Sequence, residues 1–104
     1  MIIYILEDGE PRRVDDPSEW AEWLASADIT VAKTKLGDVL ISTVFLGVDH
    51  NFGFYGNPIL FETMIFGGEY DDYQERYTTL EESMYGHERA VALVRGNREM
   101  DTAK

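Results

Sequence analysis

The chain has 104 residues, no cysteine, 9 basic and 20 acidic side chains, and a formal net charge of −11. This length allows one domain with one core, and the missing cysteines exclude disulfides, thiolate metal sites and cysteine nucleophiles. The negative charge repels nucleic acid and anionic membranes, so it favours either high solubility or a basic protein partner.

The apolar segments are short, and none reaches the roughly 20 residues that a bilayer-spanning helix needs. Residues 1–6 lack the basic segment that opens a signal peptide, and they run directly into Glu7 and Asp8. We therefore expect a soluble protein of the cytoplasm, with no membrane partner and no direct contact to nucleic acid.

The first quarter of the chain predicts a strand and a helix. Residues 2–7 form the strand, which ends at the turn signal Asp8-Gly9, and the polar residues up to Asp16 are expected to be a loop. Pro17 suits the first helical position, with Asp16 as the N-cap. The apolar residues of the helix recur at helical spacing, so one face packs inward: Trp20, Trp23, Leu24 and Ala27.

The middle of the chain predicts a hairpin. Residues 29–36 and 39–46 read as strands, joined by a two-residue turn at Gly37-Asp38. In this register Lys33 lies opposite Ser42. Residues 39–46 are apolar on both faces, which is typical of a central strand.

A fourth strand, residues 59–66, is expected to return antiparallel, and residues 70–77 alternate as a short edge strand would. A second helix begins at Thr79, which forms a capping box with Glu82. Gly96 is expected to end this helix. Its inward-facing stripe consists of Leu80, Met84, His87, Val91 and Val94.

The predicted order is β-α-β-β-β-(β)-α. This order gives an α+β fold, with an antiparallel sheet of four to five strands and two helices packed on one face. Residues 1–95 form the single domain, and residues 96–104 form a frayed C-terminal tail because they are polar and without periodicity.

The long connection at residues 47–58 is the first candidate site, because long loops in compact domains are often functional. Its residues Asp49, His50 and Asn51 offer a carboxylate and an imidazole for metal binding or proton transfer. We favour a turn in which Asp49 and Asn51 bind their own backbone over a metal or proton-transfer site. Asp49, His50 and Asn51 are also candidate partner-binding residues.

The tip of this connection is unusually aromatic. If Phe52, Phe54 and Tyr55 are exposed, they are an anchor for a partner protein, because aromatic residues dominate binding hot spots. If they fold over the end of the sheet, they cap the core.

His87 lies on the apolar stripe of the last helix, where a histidine is usually a core residue with hydrogen-bonded nitrogens. A two-histidine, one-carboxylate metal site would need His50 to approach His87, with Asp49 or Glu62 nearby. We expect no cofactor and no metal. A metal site made of Asp49, His50, Glu62 and His87 is kept as the alternative.

A polar row across the sheet is a further candidate, in which Lys33, Ser42 and Glu62 (or Thr63, one register away) align. A lysine beside a serine can act as a general base to a nucleophile. The same residue types also form solvated or ion-paired stripes.

The acidic residues include two clusters, which would form one negative patch if they were neighbours in space. Asp71 and Asp72 of the second cluster are candidate partner-binding residues. The first cluster is Asp15, Asp16, Glu19 and Glu22, and the second is Glu69, Asp71, Asp72 and Glu75.

Two sequence blocks resemble a group of small uncharacterised proteins encoded by bacteriophages and prophages. Residues 42–50 read STVFLGVDH, and residues 60–68 read LFETMIFGG. The resemblance extends to residues 15–21, 76–82 and 86–88, and so covers most of residues 14–95. It implies a phage accessory protein acting in the bacterial cytoplasm, and it carries no activity that would assign catalytic residues.

The leading hypothesis is a non-enzymatic phage or mobile-element protein that binds a basic host or phage protein. Such a partner could be a nucleic-acid-handling defence protein whose channel the acidic surface occupies. The alternatives are a small metal-dependent hydrolase using Asp49, His50, Glu62 and His87, and a homo-oligomeric structural protein that pairs through the loop or an edge strand.

Overall fold

Two antiparallel sheets and two helices build the fold, which is α+β as predicted. A computed structural model describes residues 1–51 and 56–103, and for residues 97–103 it describes the backbone alone. The elements are β1 (Ile3–Glu7), β2 (Glu10–Val14), α1 (Pro17–Ser26), β3 (Thr30–Leu36), β4 (Val39–Phe45), β5 (Phe61–Phe66), β6 (Gln74–Tyr77) and α2 (Leu80–Ala103).

The segment predicted as a loop after Gly9 is the strand β2, which pairs with β1 along its whole length. Asp8 and Gly9 both have positive φ angles, 53° and 81°, so they form the tight turn of a hairpin. Pro11 lacks an amide hydrogen, and a sheet edge tolerates that loss. The prediction of a loop was wrong because the residues of β2 are mostly polar and exposed, and only Val14 at its end is buried.

The larger sheet has the strand order β3-β4-β5-β6, with β4 in an interior position as its two apolar faces predict. Lys33 lies opposite Ser42, which confirms the predicted hairpin register. The next strand places Met64 opposite Ser42, so the polar row through Glu62 or Thr63 does not form. β6 is a short edge strand, as its alternating residues predict.

The sequence signals for both helix starts are confirmed. The Asp16 side chain accepts a hydrogen bond from the Ser18 amide at 2.9 Å, with Pro17 in the first turn. Thr79 and Glu82 form the reciprocal capping box, with distances of 3.1 Å and 3.0 Å. The prediction that Gly96 ends the second helix was wrong, because α2 continues to Ala103.

The core lies mainly between α2 and the inner face of the larger sheet, while α1 packs on β1 and β2. Under α2, the sheet contributes Ile41 and Ile65 to this core. Trp23 of α1 connects the two parts, because its ring meets Phe45 edge-on at a centroid distance of 5.7 Å. The buried apolar residues of α2 are Ala90, Val91 and Val94.

Candidate functional site

The 47–58 connection starts on the edge of β1. The Gly47 carbonyl accepts hydrogen bonds from the Tyr4 amide at 2.9 Å and from the Trp20 indole at 3.1 Å. Gly47 has a φ of 76°, and a Cβ atom there would lie 3.3 Å from the Trp20 indole nitrogen. A residue without a side chain therefore allows α1, β1 and the connection to meet at this point.

Asp49 is a structural residue of the connection. Its buried carboxylate accepts hydrogen bonds from the amides of Asn51 at 2.7 Å and Ile59 at 2.9 Å. This is the turn interpretation, in which an aspartate binds the backbone two residues further on. The Asn51 side chain closes the same turn by donating to the Asn57 carbonyl at 3.2 Å. Phe52, Phe54 and Tyr55, the predicted partner anchor, lie outside the described residues.

The two histidines occupy different environments. His50 has its Nδ1 2.9 Å from the Val48 carbonyl oxygen, within its own turn. His87 is buried between α2 and the sheet, where Nδ1 lies 2.8 Å from the Thr43 hydroxyl and Nε2 lies 2.9 Å from the Thr34 hydroxyl. Burial lowers the pKa of His87, an effect that the charge of Glu88 partly opposes. His87 is therefore the hydrogen-bonded core histidine of the first interpretation.

The polar cluster around His87 extends across the sheet. Thr43 and Thr63 share a short hydrogen bond of 2.5 Å. Next to them lies the Tyr77 hydroxyl, a buried group with no hydrogen-bond partner within the described part of the chain. Burial raises the pKa of Tyr77. This cluster fixes the position of α2 over the sheet.

Glu62 lies on the opposite face of the sheet from His87. Its carboxylate accepts hydrogen bonds from Gln74 at 2.7 Å and Arg76 at 2.8 Å. Because neighbouring residues of a strand point to opposite faces, Glu62 cannot join Thr63 and His87 at one ion. Over residues 1–51 and 56–96, no group of three or more His, Asp or Glu side chains is placed to hold a metal.

The two acidic clusters lie at opposite ends of the molecule. Asp71 and Asp72 follow β5, at the end where the β3–β4 hairpin turns, and the Asp71 carboxylate accepts a hydrogen bond from the Gly67 amide at 2.5 Å. The acids at the start of α1 lie on β1 and β2, beside the 47–49 segment. They therefore do not form one continuous patch, and Asp49 is far along the sheet from Asp71.

A surface that the sequence did not single out lies at the start of α2. Met84 is 54% exposed and Tyr85 is 62% exposed, although Met84 was expected on the inward stripe. Ser83 takes the buried position instead, where its hydroxyl donates to the Leu80 carbonyl at 2.6 Å. The start of the capped helix thus presents two adjacent apolar side chains to solvent.

Two open grooves flank these side chains and meet at Thr78. The first has a volume of about 530 Å³ and lies between the β1–β2 turn, the end of the 47–58 connection and Met84. The second has a volume of about 520 Å³ and lies between β6 and Tyr85. We call Met84, Tyr85 and the two grooves the α2-start surface. Its remaining lining residues include Glu10, Pro11, Pro58, Glu75, Glu81, Glu82 and Arg89.

The cations next to this surface are already paired. Arg89 binds the Glu75 carboxylate, and Arg76 binds Glu62. Hydrogen bonds from the Tyr73 hydroxyl and from Arg89 lower the pKa of Glu75. The carboxylates of Glu10 and Glu81 line the first groove together with apolar side chains. The α2-start surface therefore combines exposed apolar area with negative charge.

Family models, curated proteins and solved structures were compared with the chain, and none of them matches. The resemblance to phage-encoded proteins stays a prediction. None of the helices in the described part of the chain has the length and the apolar character to cross a membrane.

Proposed function

We propose that this protein is a phage or mobile-element accessory protein that acts in the bacterial cytoplasm by binding a basic protein. The α2-start surface is the observation that carries this proposal. Exposed Met84 and Tyr85 stand between two grooves, and aromatic residues and methionine are enriched in the centres of protein interfaces.

Charge supports the choice of a basic partner. The chain carries a formal charge of −11, which accelerates the encounter with a positively charged surface. In the first groove, Glu10 and Glu81 lie within reach of an arginine or lysine that enters beside Met84. The partner we favour is a nucleic-acid-handling host protein, because its phosphate-binding channel is positively charged and accepts an acidic competitor.

The experiment is affinity capture from host lysate at low salt, followed by titration of the purified partner with wild-type protein and variants. Tyr85→Ser and Met84→Ser are expected to weaken binding by about tenfold or more, the usual loss at an interface hot spot. Binding of the wild type is expected to weaken as salt increases, because salt screens the charge attraction.

Phe66→Ser is the matched control, because Phe66 is also an exposed apolar residue but lies on the other face of the larger sheet. It should leave the affinity for the purified partner unchanged. Three results contradict the proposal: a partner that is not basic, binding that is indifferent to salt, or equal affinities for the wild type and both α2 variants.

A further inference from the structure

The larger sheet has one face that no element covers within the described part of the chain. α2 packs on the face that carries Ile41 and Ile65, so their strand neighbours point the other way. We call this second side the open face. Phe66 on this face is 45% exposed. The open face consists of Lys33, Lys35, Leu40, Ser42, Val44, Glu62, Met64, Phe66, Gln74 and Arg76.

The cross-strand register arranges the open face in rows with different chemistry at the two edges. One row runs from Lys35 through Leu40 to Phe66. The next row runs from Lys33 through Ser42 and Met64 to Gln74. Lysines therefore stand at the β3 edge and apolar side chains in the middle. At the β6 edge, this face carries Gln74 and Arg76, with Arg76 paired to Glu62, and the exposed Asp72 precedes Gln74 by two residues.

The two lysines are not neutralised by neighbouring side chains that the structure describes. No carboxylate lies within ion-pair distance of Lys33 or Lys35 in the described residues, although the chain has an excess of acids. By contrast, Arg12, Arg76 and Arg89 all contact carboxylates. The β3 edge of the open face is thus a positive strip beside apolar area, within a chain of strongly negative charge.

We propose that a second copy of this chain docks on the open face, related to the first by a two-fold axis that runs parallel to the strands between β4 and β5. This rotation places β4 of one copy over β5 of the other, and β3 over β6. Each residue keeps its height along the strand direction. It therefore places Leu40 of each copy against Phe66 of the other, and Lys35 of each copy against the Asp72 edge of the other. Two sheets stacked in this way are about 10 Å apart, the usual spacing of a β-sandwich.

The open face is complementary to itself, which is what a two-fold interface requires, because the same patch serves both partners. The rotation exchanges the Lys35 edge with the edge beside Asp72, while the apolar middle meets its own copy. An axis perpendicular to the strands would instead place the lysines of one β3 over those of the other, and like charges opposed in this way are destabilising.

The test is analytical ultracentrifugation of the full chain over a concentration series, with circular dichroism of every variant to verify folding. The wild type is expected to dimerise, and Phe66→Ser is expected to weaken the dimer by about tenfold or more. Lys35→Glu and Asp72→Lys alone should each weaken it, because each opposes like charges. The double variant Lys35→Glu/Asp72→Lys should restore it, since the charge pair is re-formed with reversed signs.

Met84→Ser is the matched control, because it removes an exposed apolar side chain from the α2-start surface, and it should leave dimerisation unchanged. A wild type that stays monomeric at every concentration overturns the proposal. So does a dimer that Met84→Ser disrupts and Phe66→Ser does not, or a dimer that the double charge reversal fails to restore. The affinity for a basic partner is measured separately, with the purified partner.

Discussion

Gly86 is a position where one added methyl group should lower the stability of the protein. A Cβ atom at Gly86 would lie 2.0 Å from the hydroxyl oxygen of Tyr77 and 2.2 Å from its Cζ atom. Gly86→Ala therefore forces the buried tyrosine ring to move, and such overpacking costs about 1–3 kcal/mol. Alanine would otherwise favour the helix by about 1 kcal/mol over glycine. The difference between the two effects is a free energy of unfolding that is lower by up to about 2 kcal/mol.

The control for this change lies on the same helix. A Cβ atom at Gly96 meets nothing within 4 Å, so Gly96→Ala should gain about 0.4–1 kcal/mol. Urea and thermal unfolding followed by circular dichroism measure both variants, with a shift of about 4–8 °C per kcal/mol for a domain of this size. In a Tyr77→Leu background, Gly86→Ala should cost much less, because the ring is gone. If Gly86→Ala stabilised the wild type as Gly96→Ala does, the packing of Tyr77 on α2 would be refuted.

Three further substitutions test the buried polar groups by urea unfolding. Asp49→Ala should lower the free energy of unfolding by about 1–3 kcal/mol, because two amides lose their acceptor. The control Asp71→Ala affects one exposed amide and should cost less than about 1 kcal/mol. Equal costs would contradict the structural role of Asp49. Burial lowers the pKa of His87, so the unfolded chain takes up a proton before the folded chain does as the pH falls below about 6.5. The free energy of unfolding of the wild type should therefore fall more steeply in this range than that of His87→Gln. An identical dependence on pH in the two proteins would contradict this. Tyr77→Phe removes a buried hydroxyl that has no partner among the described residues and should not destabilise the protein, so a loss above about 1 kcal/mol would show that the hydroxyl is bonded.

Local signals in the sequence predict the positions of most elements. A capping box such as that of Thr79 and Glu82 satisfies amides that any helix leaves free, so it marks a helix start in nearly any fold. The hairpin register follows in the same way from the two-residue turn after Leu36. These features depend on neighbours in the chain, and the sequence alone therefore contains the information.

The features that sequence did not predict depend on tertiary contacts. β2 has charged residues at Glu10, Arg12 and Arg13, and its pairing with β1 becomes visible only when the Asp8-Gly9 turn is known to close a hairpin. Met84 fits the spacing of the apolar stripe, but α2 is rotated so that Ser83 is buried instead. No local signal sets that rotation, because it follows from how the helix packs on the sheet.

The environments of the candidate site residues also depend on tertiary contacts. Asp49 and His50 have the residue types of a metal or proton-transfer site, but their geometry is that of a turn. His87 was the better prediction, since a histidine on an apolar stripe needs partners for both nitrogens. Sequence could predict that need, but it could not name Thr34 and Thr43, which reach His87 only because β3 and β4 are adjacent under α2.

The two proposed surfaces are physically compatible. Met84 and Tyr85 belong to α2, which covers the inner face of the larger sheet, while Phe66 lies on its open face. A dimer formed through the open faces would leave one α2-start surface free on each copy. Two copies of a binding site on one particle increase the apparent affinity for a repetitive target without any new contact. Loss of the dimer should therefore leave the affinity of each site unchanged and reduce only the retention on a multivalent basic partner.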